Sequence, residues 1–237
     1  MKDFADALRF LTRLPSRESA GTAGFGARAF PVVGLLLGIA SIVVDTLLGS
    51  LDVALRNVAI VAAGALATGA LHYDALADVL DAAGAADREE RLRIMRDGTV
   101  GTYAVLGLVL VVATELAALG AVAEDVRWRA LACAPVVGRF AMVVCAYGAP
   151  SARSEGLGAD FVRTLAGADV GVASLTAIVL AAVFGRTPAV FACLIAAVAS
   201  YTLRRMATTR LGGVTGDVIG ASGKLAEVIL LVVFAAR

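Results

Sequence analysis

Seven long apolar runs, set apart by short polar stretches, constrain this chain more than any other feature. They cover about residues 30–51, 54–71, 100–122, 129–149, 168–184, 188–203 and 218–236. A helix crosses the hydrocarbon of a bilayer with roughly 20 apolar residues, and most of these runs are close to that length. Composition agrees: 59% of the 237 residues are hydrophobic and 17% are charged, whereas an average soluble domain carries roughly 25% charged residues. A domain of this size has too much surface to hide such an excess in one core. The expected solvent for much of the surface is therefore lipid. The expected fold is all-α: one polytopic membrane bundle of about seven spans, a single integral domain over residues 1–237.

The fifth and sixth runs are short and joined by Gly185-Arg186-Thr187-Pro188, which reads as a helical hairpin or a broken pair. The first run contains Gly34-Leu-Leu-Leu-Gly38, a spacing that lets helix backbones approach closely. Ahead of the spans, Phe4, Ala7, Leu8, Leu11 and Leu14 recur at helical spacing over residues 1–15, and Pro15 ends the pattern. Such an amphipathic helix can lie in the membrane interface or cap the bundle. Residues 16–29 read as a loop. The first long apolar run begins only near Phe30, after mixed charges, which argues against a cleavable signal peptide.

Charge placement predicts orientation. With the N-terminus inside, the segments 1–29, 72–99, 150–167 and 204–217 hold 14 of the 21 basic residues, against five at the outer ends and the C-terminus. This bias predicts that the N-terminus and these segments face the cytoplasm. A net charge of +1 lacks the basic face that nucleic acid needs. Cys133, Cys145 and Cys193 are widely spaced in apolar runs without C-x-x-C, and they read as small buried residues.

Chemistry concentrates between His72 and Gly101, which hold the only histidine, four aspartates of interest and Arg88, Arg91, Arg93 and Arg96. If the second helix continues through this stretch, Asp74, Asp78 and Asp81 fall at i, i+4 and i+7 on one face. Three carboxylates there repel each other, most strongly at a membrane boundary. A cation reverses that sign, and Mg²⁺ takes carboxylate oxygens together with substrate phosphates. The same pattern also suits a solvated helix end. Asp97 follows Arg96 where the chain re-enters the membrane and can complete the metal set. His72 has a side chain suited to general-base work. The arginines at 88–93 alternate with Asp87, Glu89 and Glu90 and read as a solvated, ion-paired stretch.

A second constellation, Arg210-Leu-Gly-Gly213-Val-Thr215-Gly-Asp217, is a Gly-rich turn opening a helix. Backbone N–H groups there suit phosphate. Asp217 is a further candidate metal ligand, and Arg210, Gly213 and Thr215 are candidate phosphate contacts. Within the spans, Asp45, Glu115, Arg139, Lys224 and Glu227 must face protein or water. Lys224 and Glu227 can pair at i, i+3, and Arg139 is a candidate phosphate contact.

Together these residues carry a resemblance. Thr68-Gly-Ala-Leu-His72-Tyr-Asp74-Ala-Leu-Ala-Asp78, Ile94-Met-Arg-Asp97-Gly-Thr-Val-Gly101 and Arg210 to Gly220 look like the cobalamin synthase family, the adenosylcobinamide-GDP ribazoletransferases. Phe10-Leu-Thr-Arg-Leu-Pro15 and Phe30-Pro-Val-Val-Gly34 fit it too, so the blocks run in order along nearly the whole chain. The resemblance implies a multi-pass inner-membrane enzyme that uses Mg²⁺. It transfers adenosylcobinamide phosphate from adenosylcobinamide-GDP to a ribose hydroxyl of α-ribazole or α-ribazole 5′-phosphate, releasing GMP. The implied roles are Asp74, Asp78, Asp81, Asp97 and Asp217 as metal ligands, His72 or an aspartate as base, and Arg96 as a phosphate contact. The bilayer is an implied partner, and association between copies of the chain stays open. The family usually has Gly-Gly before Leu-His and Asp-Gly after it, where this chain has Ala70 and Ala75. Its usual Lys-Asp-Ser is here Arg96-Asp97-Gly98. Two other readings compete: a CDP-alcohol phosphotransferase, whose usual Asp-Gly-x2-Ala-Arg start is missing here, and a transporter with its in-span charges lining a path.

Overall fold

A computed structural model describes residues 2–14 and 25–236. Pro15, Arg17 and most of the expected loop, and the C-terminal Arg237, lie outside the described residues. Among the described residues the chain is helical, apart from one isolated parallel bridge between Ser151 and Val214. The helices are α1 (Lys2–Leu11), α2 (Phe30–Leu47), α3 (Val53–Thr68), α4 (Leu71–Ala83), α5 (Arg88–Ile94), α6 (Thr102–Ala121), α7 (Glu124–Ala146), α8 (Leu157–Thr164), α9 (Gly167–Leu180), α10 (Arg186–Leu211) and α11 (Gly216–Ala235).

Five stretches are long and apolar enough to cross a membrane when residues 167–211 count as one, and the bent pair α3–α4 makes a sixth. The 167–211 stretch turns back on itself. Its π-helical turn Ala181–Gly185 is followed by Arg186 at φ 57°, which breaks the helix direction. The start of α9 lies against Tyr147 at Gly167, and Arg204 near the end of α10 donates to the carbonyls of Tyr147 and Gly148. The turn itself meets the other end of α7, where Arg129 reaches the Phe184 carbonyl at 3.3 Å. So α9 and α10 form the expected hairpin, and among the described residues seven helices, α2, α3, α6, α7, α9, α10 and α11, run along the bundle, in line with the expected number of about seven.

The central pass is α7, buried along most of its length. Both glycines of the Gly34-x3-Gly38 stripe meet it. A Cβ on Gly34 would sit 2.5 Å from the Pro135 carbonyl oxygen, and one on Gly38 2.5 Å from that of Ala132. The expected close backbone approach is thus made between α2 and α7. Lateral faces carry exposed Leu66, Leu110, Leu175 and Phe191, as lipid-facing surfaces should.

The second run differs from its expected form. Helix α3 stops at Thr68, and α4 leaves at about 90°. Gly69 and Ala70 both adopt left-handed backbone, at φ 64° and 57°. The Ala70 N–H closes the end of α3 on the Ala65 carbonyl at 2.7 Å. Helix α1 serves as a cap. Its Ala7 and Leu11 are fully buried, and Phe10 stacks with Phe30 and Phe161 and meets Phe25 edge to face. The Arg13 N–H donates to the Ala67 carbonyl at 2.8 Å, so this cap braces the bend.

The loops gather at two ends. One end holds α1, the α3–α4 bend, residues 84–101, residues 147–166 and the turn before α11. The other holds a buried charge network: Arg127 donates to Asp45 at 3.0 Å and to Asn57 at 2.5 Å, while Arg56 bridges Asp45 and Glu124 at 3.0 and 2.9 Å. Asp45 therefore faces protein, as its cost in lipid requires.

Candidate active site

The site is built at the first of these ends, from the segments that follow each bend. Helix α4 presents Asp74, Asp78 and Asp81 along one side. Together with Arg96, Asp97, Gly98 and Thr99 they line a cavity of about 220 Å³. Asp74 is also part of the wall of a neighbouring cavity of about 380 Å³, which Asp217 and Thr215 line from the start of α11. The sequence-predicted carboxylates therefore converge on one region from three separate segments.

They are not equivalent. Asp81 caps α6: its carboxylate accepts from the Gly101 N–H at 2.6 Å and the Ala104 N–H at 2.8 Å, satisfying donors that a helix start leaves free. Asp217 accepts from Arg153 at 3.2 Å, and Asp97 lies 3.6 Å from Arg93. Among the described residues Asp78 has no such partner. Burial, then the nearby charges of Asp217 and Asp74, push its carboxyl up to about 6, against a smaller opposing pull from Arg153. A cation in this cavity would relieve that repulsion.

Among the described residues, no three His, Cys, Asp or Glu side chains form a ready-made metal cage. Mg²⁺ keeps several waters and is held by one or two carboxylates plus substrate phosphates. The all-oxygen donor set and the mutual repulsion both fit that ion.

The turn before α11 is held from two sides. The Val214 N–H donates to the Pro150 carbonyl at 2.8 Å, and the Ala152 N–H to the Val214 carbonyl at 2.9 Å. A Cβ on Gly213 would collide with the Pro150 carbonyl. Gly213 thus packs the turn and does not line either cavity. Thr215 caps α11, its hydroxyl accepting from the Val218 N–H at 3.2 Å. Arg88 ties this turn to the polar segment, donating to the carbonyls of Leu211 at 2.7 Å and Ala152 at 3.2 Å. The expectation that the arginines at 88–93 are merely solvated is corrected for Arg88 by these bonds.

Three sequence candidates lie elsewhere. His72 is buried, with Nε2 3.3 Å from the Met142 sulfur. Together with Arg139 it lines an inner cavity within the bundle. There Lys224 binds Glu115 at 3.0 Å and Glu227 at 2.6 Å, Arg139 pairs with Glu227, and the Tyr73 hydroxyl donates to Glu115 at 2.6 Å. The predicted Lys224–Glu227 pair is present. Two acids and two cations balance within one network, which is how charges persist at such depth. Its members tie the start of α4 to α6, α7 and α11. Arg210 lines a separate, mostly apolar groove beside α4 with Arg91 and Met206.

Sequence reading passed over Arg9 and Arg153. Arg153 contacts Asp217 and also the Met95 carbonyl at 3.2 Å, so it joins the three converging segments. No spacing rule marks it, because its partners lie 58 and 64 residues away.

Comparison with known proteins gives the family. A family model described as cobalamin-5-phosphate synthase matches residues 3–235. The chain is similar to the adenosylcobinamide-GDP ribazoletransferase of Pseudomonas entomophila, 37% identical over 98% of both chains. It is also similar to those of Syntrophobacter fumaroxidans, 38% identical over 96% of both, and Geotalea daltonii, 35% identical over 97% of this chain and 95% of that one. No solved structure matches. Matched from end to end by the family model and by relatives above 30% identity, this multi-pass chain belongs to the cobalamin-5-phosphate synthase family.

Proposed function

We propose that this chain catalyses the last joining step of the cobalamin nucleotide loop: adenosylcobinamide-GDP reacts with α-ribazole or its 5′-phosphate to give adenosylcobalamin or its 5′-phosphate, and GMP. The observation that carries this reading is the pair of adjoining cavities that share Asp74. One offers carboxylates and a guanidinium for a metal-bound diphosphate, and the other has room for an acceptor.

In the reaction, a ribose hydroxyl oxygen bonds to the cobinamide-side phosphorus. The bond from that phosphorus to the bridging diphosphate oxygen breaks, and GMP departs with the electron pair. Asp74, Asp78 and Asp97 would hold Mg²⁺, with Asp81 and Asp217 beside them. The ion, when bound, neutralises charge on the leaving phosphate. Arg96 contacts the diphosphate from the cavity rim. Asp74, at the shared wall, takes the hydroxyl proton, a role for which buried His72 is poorly placed. The site faces the cytoplasm of the inner membrane, where a nucleotide-activated donor is available.

The direct test supplies the purified protein with adenosylcobinamide-GDP, α-ribazole and Mg²⁺ and follows GMP. Asp78→Asn should abolish turnover while leaving the protein folded. Wild-type protein that releases no GMP defeats the reaction, and an active Asp78→Asn protein defeats the metal assignment. A transporter would release no GMP, and a CDP-alcohol enzyme would instead release CMP from a CDP-linked donor.

A further inference from the structure

Helices α4 and α10 both pack on α11, and between them lies a groove of about 100 Å³ that the transfer reaction leaves unused. Val79 and Ala82 of α4 form one wall, Leu203 and Met206 of α10 the other, and buried Val218 of α11 the floor. The charged side chains that line it are Arg91 and Arg210, and among the described residues no carboxylate does. Arg210 is exposed and, among the described residues, enters no ion pair. The Nη2 of Arg91 donates to the Ala85 carbonyl at 2.6 Å, while its Nε has no protein partner. Both guanidiniums therefore keep donors for an anion.

The groove lies at the level of a membrane surface. Helix α10 has 26 residues, which makes it about 39 Å long, against roughly 30 Å of hydrocarbon. Measured from Arg186 at the opposite surface, its last turn stands among the headgroups. Exposed Phe191, Leu194, Val198 and Tyr201 run up one face of α10 at i, i+3, i+7 and i+10. That lipid-facing stripe ends on a tyrosine, a residue enriched at membrane interfaces. Leu203, Met206 and Arg210, at i, i+3 and i+7, turn from the stripe into the groove. Met206 is exposed, so the groove opens toward lipid.

We propose that this groove binds an anionic phospholipid, with one acyl chain over Val79, Leu203 and Met206 and the phosphate between Arg91 and Arg210. Basic pockets between helices at the cytoplasmic surface suit such headgroups. A zwitterionic headgroup fits less well, because its ammonium meets no carboxylate there. The lipid also bears on the site. Asp74, Asp78 and Asp81 occupy the opposite side of α4 from Val79 and Ala82, and Met95 lines both the groove and the carboxylate cavity. A bound lipid braces the helix that presents the aspartates, and turnover rises. Lipid binding stands apart from the transfer reaction; its effect on turnover rests on that reaction.

The test places the full-length protein in phosphatidylcholine nanodiscs with increasing phosphatidylglycerol and reads Tm and GMP release. Wild type should gain Tm, because a ligand of the folded state stabilises it, and should turn over faster. Arg210→Gln should bind phosphatidylglycerol about tenfold more weakly, read as the lipid fraction giving half of the Tm gain, the size of one charge-assisted contact. Met206→Glu sets a carboxylate at an exposed groove position in a residue of similar helix propensity. It should weaken binding as well, and it decides the matter should Arg210→Gln fold poorly. Exposed Arg205, on the stripe side of α10, is the control: Arg205→Gln should respond like wild type. No Tm gain in wild type overturns the site. So does equal weakening in Arg205→Gln and Arg210→Gln, which would mean general attraction to an anionic surface. Glycerol 3-phosphate giving the same gain in pure phosphatidylcholine discs overturns it too, since the groove would then hold phosphate without a chain. A Tm gain without faster turnover in active protein overturns the coupling to the aspartates. A selective Tm gain with no GMP release from wild type leaves the lipid site standing and defeats the transfer reaction.

Discussion

Ala70 holds a left-handed backbone, φ 57° and ψ 13°, at the start of α4. Its Cβ makes that conformation cost roughly 1–2 kcal/mol, which glycine avoids. The conformation persists because the neighbourhood enforces it. The Ala70 N–H closes α3, the preceding Gly69 is also left-handed, and Arg13 lies over Gly69. The family's usual second glycine falls at this position, and the geometry explains that preference. Ala70→Gly should therefore stabilise the protein by about 0.5–1 kcal/mol, after allowing for glycine's greater freedom in the unfolded chain. Thermal unfolding in detergent should show Tm higher by about 2 °C. An unchanged or lower Tm would mean that the bend is not strained. This residue also marks a limit of sequence reading. An alanine in an apolar run gives no sign of a turn, so whether the run over 54–71 continues through 72–84 stays open in the sequence, and only the left-handed φ of Ala70 reveals the turn that aims the aspartates.

At the scale of elements, the bundle is organised by how closely α2 meets α7. Pro135 in α7 has no N–H to donate to the Leu131 carbonyl, and that carbonyl oxygen would lie 2.8 Å from a Cβ on Gly38. Helix α2 fits there only because Gly34 and Gly38 carry no side chain. Gly38→Val should separate the helices and lower stability by about 2 kcal/mol or more, since overpacking costs about 1–3 kcal/mol where the neighbour is flexible, and here it is backbone. Gly64, with nothing within 4 Å of its would-be Cβ, is the control: Gly64→Ala in α3 should be neutral or stabilising. Denaturation curves of the two variants in the same detergent check this, and equal effects would refute the contact argument. The apolar runs, the Gly34–Gly38 stripe, the α9–α10 hairpin and the spacing of Asp74, Asp78 and Asp81 were legible because each is a local pattern. The short helix α8, the extension of α10 to Leu211 and the link from Arg153 to Asp217 were not. They depend on partners distant in sequence. The placement of His72 and Arg139 on the inner cavity, with Arg139 paired to Glu227, was not legible for the same reason.

Across the whole molecule, chemistry and charge are separated along the bundle axis. The carboxylate cavities occupy one end. The middle holds the balanced network around Lys224, and the far end is closed by Arg127, Arg56 and Asp45. The segments at the site end carry 14 of the 21 basic residues, and basic loops stay in the cytoplasm. The site should therefore face inward, with the loop between α2 and α3 on the opposite side. Single-cysteine labelling can test this, because Cys133, Cys145 and Cys193 are all buried and contribute little background. Glu89, at the site end, and Ser50, in the α2–α3 loop, are exposed. With a membrane-impermeant maleimide, Ser50→Cys should label in right-side-out inner-membrane vesicles. Glu89→Cys should label only in inverted ones. The opposite pattern would put the carboxylate cavities outside, away from any cytoplasmic nucleotide donor, and both the orientation and the proposed supply of substrate would have to be abandoned together.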